Sequence, residues 1–164
     1  MPDTPTPTAD AACAACERLG RRDPPPRDRI AVSGGWSVAH AFNANLEGWL
    51  VLLPQRHVES LDELRPDEAA ALGPLLVGLT AALRATTGCQ KTYVLLLAES
   101  EGFHHVHLHV VPRGSDLGAE HLGPRIFGLL GNPDLDVVAP ERRDELALAV
   151  RAHLVDAGVV TTSA

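Results

Sequence analysis

Between residues 66 and 87 the apolar positions Leu72, Leu75, Leu76, Leu79 and Leu83 recur at helical spacing. Pro66 suits a first helical position and Gly88 suits the residue that closes a helix, so the pattern predicts one long helix over 66–87. Pro74 falls inside it and should bend it or mark a break. A second amphipathic helix is predicted over 140–155, where Leu146, Val150 and Leu154 are four apart. Elsewhere the period is two. Residues 29–32 and 36–42 read as strands joined by the hairpin-type turn Ser33-Gly34-Gly35. Trp36, Val38, His40 and Phe42 would then share one face, opposite Ser37, Ala39 and Ala41. A third strand over 49–53 is stopped by Pro54, and the unbroken apolar run 93–98 predicts a central strand buried on both faces.

The Ala-rich stretch 10–19 is helix-prone with Asp10 as its N-cap, and Pro24, Pro25 and Pro26 form a stiff linker. Residues 114–139, rich in Gly and Pro, are expected to be irregular. Several strands are joined by links too short for parallel crossovers. The expectation is α+β: an antiparallel or mixed sheet with helices on one side. No repeat and no second domain are visible. Residues 1–9 read as a disordered leader, 10–157 as the folded domain and 158–164 as a flexible tail.

The segment His105-Val106-His107-Leu108-His109-Val110-Val111 changes the picture. On a strand, its three imidazoles share a face and its apolar residues back them. Neighbouring histidines would stand about 6.5 Å apart and the outer pair about 13 Å. Such a row of proton-carrying, nucleophilic or metal-binding groups is suited to gripping and attacking an anion. It points to an enzyme site.

A chain of 164 residues can bury a core without disulfide staples. Its net charge of −7 argues against a nucleic-acid polymer or a membrane surface as partner, since both need a basic face. A small phosphorylated ligand remains compatible. No apolar run approaches the ~20 residues that span a bilayer, and the first ten residues lack a signal-peptide pattern, so a cytoplasmic protein is expected. Three cysteines suit a reducing compartment. Cys13 and Cys16 form a C-x-x-C pair that fits a redox pair, half a zinc site, or two small apolar residues on a helix. Zinc needs about four nitrogen or sulfur ligands, and His57 and His105 are the candidates to complete such a set. Against that, His57 fits a surface loop residue and His105 one that orients its neighbour by a hydrogen bond.

Residues 105–111 resemble the signature of the histidine triad (HIT) superfamily, His-φ-His-φ-His-φ-φ with φ apolar, and Pro112-Arg113 extends the match. The run Gly48-Trp49-Leu50-Val51-Leu52-Leu53-Pro54-Gln55-Arg56-His57-Val58 resembles the family's G-H-x-L-V-x-P-K-x-H segment, with Trp49 for its histidine and Arg56 near its basic position. The long helix and the C-x-x-C pair also fall where the family has them, and the likeness spans roughly residues 11–113. It implies a HIT-like fold with a five-stranded antiparallel sheet, a long helix and a C-terminal helix, often paired as a homodimer through the long helix and an adjoining strand. It implies chemistry on a nucleoside phosphate, adenosine by default: hydrolysis of a dinucleoside polyphosphate or nucleoside phosphoramidate, or nucleotidyl transfer.

By the same resemblance His107 attacks the α-phosphorus and His109 binds phosphate oxygens, while Asn43, Ser100 and His109 are the expected substrate contacts. Cys13, Cys16, His57 and His105 are implied as ligands of a structural zinc. For His107 to attack, its other nitrogen must keep a proton, so a backbone carbonyl partner is expected. Protonated His109 or a backbone N–H group would stabilise the charge on phosphoryl oxygens. The chain also departs from the family. Loop 99–104 lacks the usual Gln and carries Glu99 and Glu101, which would repel a polyphosphate or contact an amine of the substrate or leaving group. Ala41 stands where a ribose-binding Asn or Asp is usual, leaving Asn43, and after it Asn45, as replacements. His104 has no family role and reads as a solvated loop residue. A nucleotidylyltransferase of a specialised pathway and a nucleotide-binding protein without turnover are the alternative functions.

Overall fold

A computed structural model describes residues 13–161. The expected leader and the Asp10 cap lie outside the described residues. The strands β1 (Ala31–Ser33), β2 (Trp36–His40), β3 (Leu50–Pro54), β4 (Lys91–Leu96) and β5 (Leu108–Arg113) form one sheet in the order β1-β2-β3-β5-β4. Every neighbouring pair is antiparallel. The helices are α1 (Ala14–Leu19), α2 (Pro66–Thr87) and α3 (Pro140–Asp156). The class is α+β, as expected.

Alternation along the strands separates two interiors. Trp36, Val38, Leu50, Leu52, Leu108 and Val110 face α2 and α3, packing with Leu75, Leu79, Leu83, Val150 and Leu154 in the main core. The opposite face carries Ser37, Ala39, Val51, Leu53 and His109. One end of it is closed by Trp49 and Val111 against Ile126 and Leu129 of the 3-10 helix Gly123–Leu129. Residues 114–139 therefore lack regular elements beyond 3-10 turns, yet form a cover. The side of Asn45 pins them: its amide donates to the Leu135 carbonyl at 2.9 Å and its Oδ1 accepts from the Asn132 N–H at 3.0 Å. Because α1 and this segment lie over the second face, helical structure is not confined to one side. The gap between them is the site.

α2 has the expected bounds. Gly88 closes it at φ 69°, its N–H bonded to the Arg84 carbonyl. Pro74 does not break it, because Pro74 is exposed while Leu75 and Leu79 on the inner face hold the turns together. The 22-residue α2 is, by length and composition alone, apolar enough to cross a bilayer, which the sequence reading of apolar runs did not anticipate. Its Leu75–Leu79–Leu83 stripe is instead committed to the core.

Three expectations are corrected. β4 is the outermost strand rather than a central one, and Val94 and Leu97 are 43% and 55% exposed. β2 ends at His40, so Phe42 leaves the face of Trp36 and turns to the cavity. Packing also continues past residue 157: Val160 is buried, and the Val159 N–H bonds to the Leu154 carbonyl.

Candidate active site

β5 enters the sheet at Leu108, so His109 lies within the ladder, opposite Val51 on β3 and Leu95 on β4. His107 directly precedes the strand and His105 occupies a bend. The predicted straight row of three is thereby corrected. His107 and His109 line one cavity, their ring centroids 4.9 Å apart, whereas fully buried His105 joins Cys13, Cys16 and His57.

The expected backbone partner of His107 is present. Its Nδ1–H donates to the His105 carbonyl at 2.8 Å. With that nitrogen protonated, Nε2 keeps an in-plane lone pair.

His109 has the opposite tautomer. The Trp49 Nε1–H donates to His109 Nδ1 at 3.0 Å. An indole nitrogen can only donate, so His109 Nδ1 must accept and the ring proton sits on Nε2. The ring is enclosed edge-on by Trp49 and Phe127, and burial, helped by neighbouring His107, pushes its pKa down to about 4. The expectation of a protonated His109 is corrected: the ring is neutral and offers one N–H. Trp49, conspicuous in the sequence only as the odd residue in the upstream segment, sets that tautomer.

The cavity holds about 370 Å³. Its floor is the small-residue face of β2 (Ser37, Ala39) with Val51 and Leu53 of β3, so the absence of bulk on β2 makes the space. Asn43, Ser100, His107 and His109, all singled out from the sequence, line it together with Glu99. Asn45 is committed to the 132–136 backbone and does not line it, and His104 is exposed outside it. Ala98, at the turn that carries Glu99 and Ser100 inward, has φ 53°, a conformation costly for a residue with a Cβ. Sequence reasoning missed Arg18, Asp28, Phe42 and Phe103, which also line the cavity, because nothing local to any of them signals convergence. Arg56 does not reach it. Its guanidinium is held by buried Glu68 at 3.0 Å.

The four cysteine and histidine candidates do converge. His105 Nδ1 lies 3.8 Å from Cys13 Sγ and 3.5 Å from Cys16 Sγ, and His57 Nδ1 lies 3.2 Å from Cys16 Sγ. All four atoms are within 4.8 Å of one another. A tetrahedron with zinc–sulfur bonds of about 2.3 Å and zinc–nitrogen bonds of about 2.0–2.1 Å has edges of about 3.3–3.8 Å. The residues present fit that geometry. His105 also has the outer partner such a ligand needs: its Nε2–H donates to the Pro54 carbonyl at 2.9 Å, which turns the Nδ1 lone pair toward the sulfurs. Burial, the leading cause, holds its pKa at about 4, so the ring is neutral and able to ligate.

No family model and no curated protein matches the sequence. Solved structures do match. A histidine triad (HIT) protein from Sinorhizobium meliloti is 26% identical, with 84% of this chain and 94% of that one covered at a TM-score of 0.59. A Zn-bound histidine triad family protein from Mycobacterium smegmatis is 19% identical, with 88% and 96% covered at 0.61. A hypothetical histidine triad nucleotide-binding protein from Sulfolobus tokodaii is 15% identical, with 88% and 93% covered at 0.65. The chain therefore shares the fold of these histidine triad proteins, and it carries its own His-Val-His-Leu-His-Val-Val at the entry of β5.

Proposed function

We propose that this chain cleaves or transfers a nucleoside monophosphate unit, taken from a dinucleoside polyphosphate or a nucleoside phosphoramidate, through a covalent intermediate on His107. The supporting observation is the Nδ1–H bond from His107 to the His105 carbonyl, which leaves Nε2 as a nucleophile at a cavity of nucleotide size. In the first step the Nε2 lone pair forms a bond to the α-phosphorus. The phosphorus–oxygen or phosphorus–nitrogen bond to the leaving group breaks, and the leaving group takes that electron pair and then a proton from water. In the second step water attacks the phosphorus and gives a proton to the hydroxide left by the first step, the phosphorus–nitrogen bond to His107 returns its pair to Nε2, and the nucleoside monophosphate departs. His109 contributes its Nε2–H to the phosphoryl oxygens as a fixed neutral donor. Asn43 and Ser100 hold the nucleoside and its phosphate.

Cys13, Cys16, His57 and His105 would hold zinc, which supplies cross-linking rather than chemistry at phosphorus. It would staple α1 to the entry of β5, so reduced thiols, and with them a cytoplasmic setting, belong to this reading. A homodimer belongs to it as well. The unpaired edge of β4 with Val94 and Leu97, and Val77 of α2 at 71% exposure, offer apolar surface for a second copy.

The test is turnover by the zinc-loaded protein on a panel of dinucleoside polyphosphates and nucleoside phosphoramidates. Release of a nucleoside monophosphate from at least one, abolished in His107→Ala, is the expected result. Nucleotide binding with no turnover of any panel member would leave only a binding protein.

A further inference from the structure

The cavity runs across the sheet. His109 on β5 is opposite Val51 on β3, and Val51 is opposite Ala39 on β2. Two strand spacings, about 9.6 Å, therefore separate the histidines from β2. Beyond β2 packs the 3-10 turn Pro26–Asp28, and there the cavity wall carries an ion pair. Arg18 Nη2 of α1 lies 2.5 Å from Asp28 Oδ1, and Arg21 Nη1 donates to Asp28 Oδ2 at 3.0 Å. The carboxylate is thus engaged on both oxygens, and its side chain is only 7% exposed.

The guanidinium is not fully engaged. Arg18 Cζ sits 5.0 Å from the Phe42 ring centroid, and Asp28 anchors one corner of the guanidinium. Its Nε–H and Nη1–H groups have no hydrogen-bond partner among the described residues. Phe42 and Phe103, inclined by 19° with centroids 6.1 Å apart, add flat apolar surface beside it. A nucleoside phosphate with phosphorus at His107 and its sugar over Val51 and Ala39 would bring its base to this wall.

We propose that Arg18, oriented by Asp28 and Phe42, reads the acceptor edge of the base, so that the site selects a 6-oxopurine nucleotide over an adenine one. Arginine offers donors only. Guanine and hypoxanthine place O6 beside N7, two adjacent acceptors that match the guanidinium fork. Adenine places the N6 amino donor beside N7, and one of the two bonds is lost. The adenosine expected from family resemblance is revised accordingly. This inference rests on the nucleotide reading of the cavity.

The experiment is calorimetric binding of GMP, IMP, AMP and ADP to the zinc-loaded protein and to Arg18→Leu, with zinc content measured on both. The expected result is that GMP and IMP bind wild type about tenfold or more tightly than AMP, as one bidentate pair allows. In Arg18→Leu the GMP-to-AMP ratio should fall to within about twofold, with AMP binding retained. Equal binding of GMP and AMP to wild type overturns the inference while leaving the nucleotide reading intact, and needs no variant to fold. An Arg18→Leu variant that weakens ADP relative to AMP but keeps the base ratio shows that Arg18 takes a phosphate, and also overturns it. Failure of every nucleotide to bind wild type overturns both.

Discussion

The Trp49 indole N–H, 3.0 Å from His109 Nδ1, decides which nitrogen of His109 faces the cavity with a proton. Trp49→Phe removes that donor, leaves Nδ1 unpaired in a buried setting and lets the ring sample the other tautomer. An unsatisfied buried group costs about 1–3 kcal/mol, which as lost orientation corresponds to roughly a 5- to 150-fold fall in kcat/KM. Nitrogen-15 shifts of His109 would check the premise: wild type should show the Nε2–H tautomer and the variant a mixture.

Removing the metal should unfold more than it should disable. Cys13→Ser takes away one of the four converging side chains that would hold zinc, and the proposed link between α1 and the β5 entry goes with it. A loss of several kcal/mol is expected, equivalent to a fall in Tm on the order of 10 °C, with kcat changing less among molecules that remain folded. Metal content and melting curves of the two proteins measure this. An unchanged Tm, or wild type without stoichiometric zinc when prepared without chelators, would contradict it.

Buried neutral histidines tie stability to pH. Burial pushes His40 to about 4, and its ring is locked neutral, with Nδ1–H donating to the Ala41 carbonyl and Nε2 accepting from the Gly48 N–H. The unfolded chain takes up a proton near pH 6.5 and the folded one only near 4, so ν in the unfolded state is the larger. Stability is therefore full above pH 6.5 and is lost as pH falls from 6.5 toward 4, by on the order of 2–3 kcal/mol for this one residue. Urea midpoints at pH 7 and pH 5 should diverge in wild type. The divergence should shrink in His40→Gln, a comparison that cancels any acid sensitivity of the Cys13, Cys16, His57 and His105 cluster.

Asn43 lines the cavity while its carbonyl accepts the Gly131 N–H at 2.8 Å, so Asn43→Ala spares the backbone anchor and removes only the amide. If that amide meets the ribose hydroxyls, the variant should bind a ribonucleoside monophosphate about fivefold more weakly, with no change for the 2′,3′-dideoxy form. Equal weakening of both would remove Asn43 from that role.

Features carried by local chemistry were legible in the sequence. The ends of α2 are written in Pro66 and Gly88, and the Ser33-Gly34-Gly35 turn in the φ values of 54° and 81° that its glycines adopt. The convergence of Cys13, Cys16, His57 and His105 was foreseen through residue type and family resemblance, and the His107 carbonyl partner through the chemistry of a nucleophilic imidazole. Features carried by distant pairing were not. The apolar run of β4 reads the same in a central strand as in an edge strand, and only the β3–β5 ladder leaves it outermost. Arg18 and Asp28 meet at the cavity through a pairing of α1 with the 3-10 turn Pro26–Asp28 that no local pattern displays. His105 left the histidine row because its ring meets Cys16 and the Pro54 carbonyl, contacts that the strand period alone does not encode.

The account stands on His107 Nε2 as the atom that takes up phosphorus. Rapid quench of the zinc-loaded protein with a turned-over nucleotide substrate, followed by intact mass and peptide mapping, addresses that atom directly. The account predicts a transient gain of one nucleoside monophosphoryl unit on His107, absent in His107→Ala along with turnover. Turnover that persists in that variant, or an adduct mapped to any other side chain, would contradict it.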